Sequence, residues 1–362
     1  MITGFPCIRA LKEAQALVAK GHVITLLCSR LPNHLFWNKV CESVHVYETY
    51  GEYTAKLEKL AEGADIIHGH NEPNWHIATA IVLLNKSKPV IYDCHDFTSM
   101  RIELGAYDRD PEKKPFEQYE RDMEEVCFKQ ADAVVHVSQE LSRQALIRYK
   151  QKKSIVLYSF PSASAVQFKP KKKKSGIHIA YEGGLSESGQ GLHDYRYYIE
   201  YFKEIASSGV IVDVYPSEVV SEKTRESYRL IDGGERVRVA STFVYDQLLA
   251  VMSGAHWGFT GFYRHSDEKD SKATYLDNAM PNKLFEYLYA GLTPVVINCK
   301  EAGNFVTAHN VGYHAKDMKE CIDILHNAPQ LVQNLDVNMI NMDEQISLLE
   351  NVYYDVLGIT MA

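Results

Sequence analysis

The sequence predicts an α/β fold made of two open α/β units, and three observations support this class. Short apolar runs typical of buried parallel strands alternate with helical patterns along nearly the whole chain. A lysine-rich stretch separates two halves that each show this alternation. The length of 362 residues suits two domains of roughly 150 residues each.

Composition narrows the possible function classes. A hydrophobic content of 46% is ample for packed cores, and a net charge of −8 argues against a nucleic-acid partner, which would require a basic face. No apolar run reaches the roughly 18 residues of a membrane span, and no secretion leader is recognisable. The seven cysteines are scattered without C-x-x-C spacing, so we expect free thiols in a reducing cytoplasm.

The first predicted domain comprises residues 1–160. Its first helix ends near Gly21, and the strand that normally precedes such a helix is truncated to Met1 and Ile2 or missing. A strand over 89–94 delivers His95 and Asp96 to its carboxyl end, where open α/β sheets bind ligands. A histidine bonded to a backbone carbonyl is an equally weighted alternative for His95. Five more strands are predicted, over 23–28, 44–47, 65–70, 133–138 and 154–157.

Residues 161–175 are predicted to be a linker, and its four-lysine run is typical of a solvated hinge. The second domain follows over residues 176–340, with helices expected at 317–326 and 328–335 near its end. The last segment, 341–362, contains an apolar helical pattern and is expected to cross back to the first domain. Two α/β units joined by a hinge create a cleft, which is a common place for a ligand.

The most informative stretch of the second domain is residues 278–296. Pro281 suits a helix start, Gly291 suits the left-handed residue that ends a helix, and a buried strand follows. The pattern places Lys283 and Glu286 in the first two helical turns, beside free backbone N–H groups. That combination suits a nucleoside diphosphate, with phosphate at the helix start and hydroxyls on the carboxylate. An ordinary surface helix with an i,i+3 ion pair is the alternative.

A second signal is the Gly183-Gly184 turn after a predicted strand, which would let the backbone approach a phosphate. A plain strand-to-loop turn explains these two glycines about as well as a phosphate-binding turn does. Arg196 follows this turn and could donate two hydrogen bonds to phosphate oxygens, with a solvated helix start as the alternative. The chain contains no P-loop, no H-E-x-x-H motif and no clustered His/Cys set, so no metal site is predicted.

The order of these segments resembles that of the GT-B glycosyltransferases, nearest to the family 4 group. The segment that carries most of this resemblance is 281–291 followed by 294–296. Further matching segments lie at 21–25, 65–70, 89–96, 131–138 and 181–185.

The resemblance implies two Rossmann-like domains facing a cleft, with a nucleotide sugar held mainly by the second. Glu286 matches the later Glu of the family's Glu-x7-Glu motif, which implies contact with ribose hydroxyls, whereas Asn278 stands where the earlier Glu would be. Asn282 and Lys283 would lie near the diphosphate. Ser186 to Gln190 replace the family's usual Arg and Lys pair after the glycine turn, so Arg196 and Lys283 are its substitutes. His95 matches the first-domain His that approaches the donor sugar, with Asp96 beside it.

We therefore expect a metal-independent glycosyltransferase that moves a sugar from a nucleoside diphosphate sugar to an acceptor hydroxyl, with retention and without a cofactor. A UDP-sugar is the favoured donor and a GDP-sugar the next. The acceptor would be a glycan, a glycolipid or a small molecule, and the location cytoplasmic, with attachment to the inner face of the membrane left open. The alternatives are a nucleotide-sugar 2-epimerase of the same fold and a non-catalytic nucleotide-sugar-binding relative.

Overall fold

The computed structural model describes residues 1–360 except 34, 72, 106–111, 113–114, 152, 189–193, 265–273 and 333–334. The chain forms two compact units. The first unit consists of Met1–Glu103, Tyr107–Ala165 and Asn341–Ala362, and the second of Leu104–Ala106 and Val166–Ile340.

The first unit is built on parallel strands that are mostly buried on both faces, as their apolar runs require. One sheet has four strands in the order β3-β4-β5-β6, and the other pairs β1 with β2. The strands are β1 (Thr25–Cys28), β2 (Ser43–Val46), β3 (Ile67–His70), β4 (Val90–Cys94), β5 (Ala133–His136) and β6 (Ser154–Val156).

Ile2 connects these two sheets by a parallel bridge to Leu27 of β1 and another to Gly69 of β3. Its amide donates to the carbonyl of His68 at 2.9 Å, and its carbonyl accepts from the amide of His70 at 3.0 Å. Ile2 therefore occupies the position of a first strand between β1 and β3. The chain turns from this position into the first helix.

Helices surround the strands of the first unit. The predicted helix over 342–357 is instead two helices that meet at Ile346. Tyr353 of the second of these lies with its hydroxyl 2.5 Å from Nδ1 of His68, so the C-terminal segment packs on the strands of this unit. The helices are α1 (Ile8–Ala19), α2 (Tyr50–Glu62), α3 (Trp75–Leu84), α4 (Thr98–Glu103), α5 (Pro115–Gln130), α6 (Gln139–Tyr149), α14 (Met342–Gln345) and α15 (Ser347–Leu357).

The second unit contains a six-stranded, all-parallel sheet with the order β12-β11-β10-β7-β8-β9. When β7 is counted as strand 1 and the sheet is read from β9 to β12, this is the order 3-2-1-4-5-6 of dinucleotide-binding α/β folds. The strands are β7 (His178–Gly183), β8 (Ile211–Pro216), β9 (Val237–Val239), β10 (Trp257–Gly261), β11 (Thr293–Ile297) and β12 (Tyr313–Ala315).

The helix predicted over 328–335 is wrong over residues 328–331, which are not helical. Ala328 is extended at φ −85° and ψ 150°, because the proline that follows disfavours a helical residue before it. No described helix of either unit is long and apolar enough to cross a membrane. The helices of the second unit are α7 (Ile199–Ser207), α8 (Glu222–Arg229), α9 (Tyr245–Met252), α10 (Thr274–Asn278), α11 (Asn282–Tyr289), α12 (Lys300–Ala308) and α13 (Met318–Asn327).

His136 at the end of β5 makes the first unit sensitive to acid. It is fully buried, and neither ring nitrogen has a hydrogen-bond partner among the residues that the structure describes. Burial lowers the pKa of His136 to about 4, whereas its ordinary value is 6.5. Between these values the unfolded chain binds a proton that the folded chain does not, so stability falls as the pH decreases.

We expect His136→Leu to reduce the loss of unfolding free energy between pH 7.5 and pH 5 by about 2 kcal/mol. Urea unfolding at the two pH values measures this difference. The same change at the exposed His326 serves as the control and should leave the pH dependence unaltered. An equal acid loss in the His136 variant and the parent would contradict the assignment.

Candidate functional site

The candidate site of the second unit lies where its strand order reverses, between β7 and β10. The chain leaves these neighbouring strands in opposite directions, which opens a crevice at their carboxyl ends. β7 ends at Gly183 with φ +119°, and β10 ends at Gly261 with φ +131°. A Cβ atom on Gly261 would lie 1.8 Å from the carbonyl oxygen of Ile297, so only glycine fits there.

Tyr287 fixes helix α11 beside this crevice. Its hydroxyl accepts from the amide of Glu182 at 3.0 Å and donates to the carbonyl of Phe259 at 3.0 Å, so it joins β7 and β10. Its ring lies against Gly258, where a Cβ atom would be 2.3 Å from the ring. The helix begins at Asn282 with Pro281 as its N-cap, one residue later than the predicted start.

Lys283 in the first turn of α11 reaches the glycine turn. Its Nζ lies 4.1 Å from the ring centroid of Tyr181 and 3.3 Å from the point where a Cβ on Gly183 would stand. Burial lowers the pKa of Lys283 to about 8, with Glu182 opposing this shift and Arg196 adding to it. The amine is therefore a weakly solvated cation directed at backbone that carries no side chain.

Arg196 covers the other glycine of the turn. Its Nη1 lies 2.8 Å from the point where a Cβ on Gly184 would stand, so any larger residue there would displace the guanidinium. The residue as a whole is exposed, and the guanidinium carbon lies 5.4 Å from the ring centroid of Tyr195. The structure thus brings together four of the residues selected from the sequence: Gly183, Gly184, Arg196 and Lys283.

The remaining predicted donor-binding residues lie on α10 and α11. Glu286 is 2% exposed. The pKa of the neighbouring Tyr245 is raised, mainly by burial of its hydroxyl and then by the negative charges of Glu286 and Glu182. Asn278 ends α10 and is 7% exposed, whereas Asn282 is the partly buried first residue of α11. One helix face thus carries a cation and a carboxylate within its first two turns.

A buried ion pair lies at the carboxyl end of β4 in the first unit. The Arg9 Nε lies 3.0 Å and its Nη2 2.7 Å from the two carboxylate oxygens of Asp93. Nη1 of Arg9 donates to the carbonyl of Leu157 at 2.8 Å, and Nη2 lies 2.9 Å from Oε1 of Glu13. Both Arg9 and Asp93 are fully buried, and despite the opposing effect of burial the guanidinium holds the pKa of Asp93 well below its usual range.

His95, predicted to act on the donor sugar, is held by Asp93 rather than by Asp96. Its Nδ1 lies 3.2 Å from Oδ1 of Asp93, and its Nε2 lies 3.7 Å from the sulfur of Cys7. The Asp96 carboxylate instead lies 3.9 Å from the Arg101 guanidinium. The structure does not pair the two residues that the sequence grouped.

Four buried side chains of this unit place potential ligand atoms within 4.8 Å of one another: Glu13, His68, His70 and Asp93. Arg9 shares this cluster and already contributes a positive charge to both carboxylates. We therefore interpret the described cluster as a buried ion-pair and imidazole network. Burial raises the pKa of Glu13 well above its usual range and lowers that of His68 well below it.

Sequence reasoning missed Cys7, Arg9 and Asp93. A signal existed for Asp93, because residues i and i+2 of a strand point to the same side and His95 lies two positions later. Arg9 and Glu13 also interrupt the apolar face of α1 at i,i+4 spacing, which marks a buried pair.

Comparisons with known proteins concern the family and the fold. Residues 9–159 match the model of the family described as Glycosyltransferase Family 4. A sequence search of curated proteins gave no match.

Solved structures resemble the chain over almost its whole length, at identities that show the fold alone. Sucrose-phosphate synthase from Thermosynechococcus elongatus aligns with a TM-score of 0.61 at 13% identity, covering 98% of this chain and 96% of that one. HepE from Anabaena in complex with UDP-glucose aligns with a TM-score of 0.63 at 13% identity, covering 99% and 96%. A putative UDP-N-acetylglucosamine 2-epimerase from Listeria monocytogenes aligns with a TM-score of 0.59 at 10% identity, covering 98% and 96%.

The family match covers the first unit, and the structural likeness covers both. Together they confirm the resemblance found in the sequence: the chain has the fold of the GT-B glycosyltransferases, and residues 9–159 match the Glycosyltransferase Family 4 model.

Proposed function

We propose that the chain transfers a sugar from a UDP-sugar to an acceptor hydroxyl, with the nucleotide held by its second unit. The observation that carries this proposal is the convergence of Lys283 and Arg196 on the Gly183-Gly184 turn. A diphosphate needs positive charge and close access to backbone N–H groups, and this turn offers both. The UDP-glucose complex of the structurally similar HepE supports uridine as the base.

The same groups account for the chemistry that a sugar nucleotide requires. Negative charge develops on the leaving diphosphate as the bond to the sugar breaks, and cations placed in advance stabilise it. A helix N-terminus alone contributes only about 0.3–1 kcal/mol to a surface anion. Lys283 is expected to contribute more, because its amine is already desolvated against Tyr181.

Glu286 is the proposed acceptor for the ribose hydroxyls, since a carboxylate can accept hydrogen bonds from two vicinal hydroxyl groups. It lies one helical turn after Lys283, so the ribose hydroxyls and the diphosphate would be bound along the same face of α11. Asn282 would lie near the diphosphate, and Asn278 is the remaining residue proposed to bind the donor.

In the first unit, His95 and Asp96 remain the proposed residues for the donor sugar and acceptor side. Retention at the anomeric carbon, a glycan or glycolipid product and independence of metals are further parts of the proposal, and they rest on the family resemblance.

The structural likeness to a putative UDP-N-acetylglucosamine 2-epimerase makes epimerisation the second candidate. Incubation with UDP-glucose and with UDP-N-acetylglucosamine, each with and without a panel of sugar and lipid acceptors, separates the two. A transferase is expected to release UDP at least tenfold faster with its acceptor and to leave the donor configuration unchanged without one. An altered sugar in the absence of acceptor would instead establish the epimerase. Release of no UDP and no altered sugar under any condition would contradict both.

A further inference from the structure

We propose that Cys7 is a modification site: its thiol, paired with His95 and Asp93, forms mixed disulfides with small disulfide molecules. This proposal does not depend on the transferase activity proposed above. It rests on the order of three side chains, on the position of Cys7 at a helix start and on its exposure.

The three side chains form a relay of sulfur, imidazole and carboxylate. The sulfur of Cys7 lies 3.7 Å from Nε2 of His95, and Nδ1 of the same ring lies 3.2 Å from Oδ1 of Asp93. A nucleophile in reach of a base that is itself oriented by a third group is the arrangement that activates cysteine nucleophiles. Asp93 is rigidly placed, because its other oxygen accepts from Arg9 at 2.7 Å.

Cys7 is also the N-cap of the 12-residue helix α1. The free N–H groups and the dipole at a helix start favour a negative sulfur. Burial acts against the thiolate, but His95 and the amide of Ala10 outweigh it, so the pKa of Cys7 is lowered. In return the pKa of His95 is raised well above its usual range, although burial alone would lower it. The charged and titratable groups that face this pair are Arg9, Glu13, His70 and Asp93.

Exposure distinguishes Cys7 from the other six cysteines. Cys7 is partly exposed, whereas Cys28, Cys41, Cys94, Cys127, Cys299 and Cys321 are buried. Burial raises the pKa of each of these six thiols. Cys7 is therefore the one cysteine of the seven that is partly exposed and has a lowered thiol pKa.

The proposed reaction is thiol–disulfide exchange. The Cys7 thiolate attacks one sulfur of the small disulfide, and a new S–S bond forms as the original S–S bond breaks. The departing thiolate takes the proton of the His95 imidazolium, which no longer faces a negative sulfur. The product is one mixed disulfide on Cys7, and a reducing thiol reverses it.

The test is to treat the full chain with oxidised glutathione, and separately with limiting iodoacetamide, and to locate the adduct by peptide mass spectrometry. We expect the first equivalent of either reagent to react with Cys7 and not with the other six cysteines. For an ordinary thiol with a pKa of 8.5, the thiolate fraction falls about 75-fold between pH 8 and pH 6. The alkylation rate of Cys7 is expected to fall less than tenfold over that range.

His95→Gln is the variant that tests the pairing, with the unfolding midpoint as a check that it folds. We expect its alkylation rate at pH 6 to fall at least tenfold, while Cys7→Ser should lose the first adduct altogether. The matched control His22→Gln, at a partly buried imidazole of the same unit, should retain the parent rate. A rate that follows the free-thiol pH profile, adducts spread over several cysteines, or no adduct on Cys7 would each overturn the proposal.

Discussion

Lys283→Met is expected to weaken UDP binding by about 10- to 100-fold. The variant keeps an unbranched apolar side chain of similar length and removes the charged amine, which lies over the Tyr181 ring. A hydrogen bond to a charged group contributes about 1.5–3 kcal/mol, which corresponds to this range of affinity. Isothermal titration with UDP measures the effect directly.

The pH dependence gives this prediction a second readout. The pKa of Lys283 is lowered to about 8, so its charge is lost as the pH rises above that value. Parental affinity for UDP should decline between pH 7 and pH 9, and the affinity of the methionine variant should change less. Lys203→Met, at an exposed lysine on α7 of the same unit, is the control and should bind UDP like the parent. Affinities of the parent and Lys283→Met that agree within twofold would refute the role of this amine.

Arg9→Met should destabilise the first unit by about 3–5 kcal/mol, because it leaves the buried Asp93 and Glu13 carboxylates without their counter-ion. In a folded unit of this size, that loss of stability lowers the melting temperature by roughly 10 °C. Thermal unfolding followed by circular dichroism measures it.

A double-variant cycle separates the lost ion pair from lost packing. Adding Asp93→Asn to Arg9→Met removes the unpaired charge, so the double variant should be more stable than the sum of the two single losses predicts. Arg143→Met, which breaks the exposed contact with Glu140, should change stability by less than about 0.5 kcal/mol. A loss for Arg9→Met as small as that for Arg143→Met would show that the buried pair contributes little.

The α/β class, the strands and the glycine turn could be predicted because they follow from local rules. Buried parallel strands read as continuous apolar runs, and the run over 89–94 contains β4, whose five residues are all buried. The position of Lys283 followed from a proline start and a glycine stop around an eight-residue helix, and Gly291 does adopt the left-handed conformation at φ +76°.

The partners of these residues depend on contacts between distant parts of the chain. Lys283 lies 102 positions from Tyr181, and Tyr287 reaches Glu182 across 105 positions. Asp93, not the adjacent Asp96, holds His95, because a strand directs alternate side chains to the same side. Arg9 reaches Asp93 across 84 positions, and Ile2, shortly before α1, is bridged to β1 and β3. Strand alternation could have indicated the pairing of Asp93 with His95, but no local pattern specifies the pairings between distant residues.

The central claim, that the second unit binds the nucleotide of a sugar donor, is tested most directly by the thermal stability of the parent chain with UDP, GDP, ADP and dTDP added separately. A ligand at 100 times its dissociation constant stabilises the folded state by about 2.7 kcal/mol, or roughly 5–10 °C here. We predict a shift of this size with UDP and a smaller one with the other three nucleotides. Unchanged melting with all four would contradict the account.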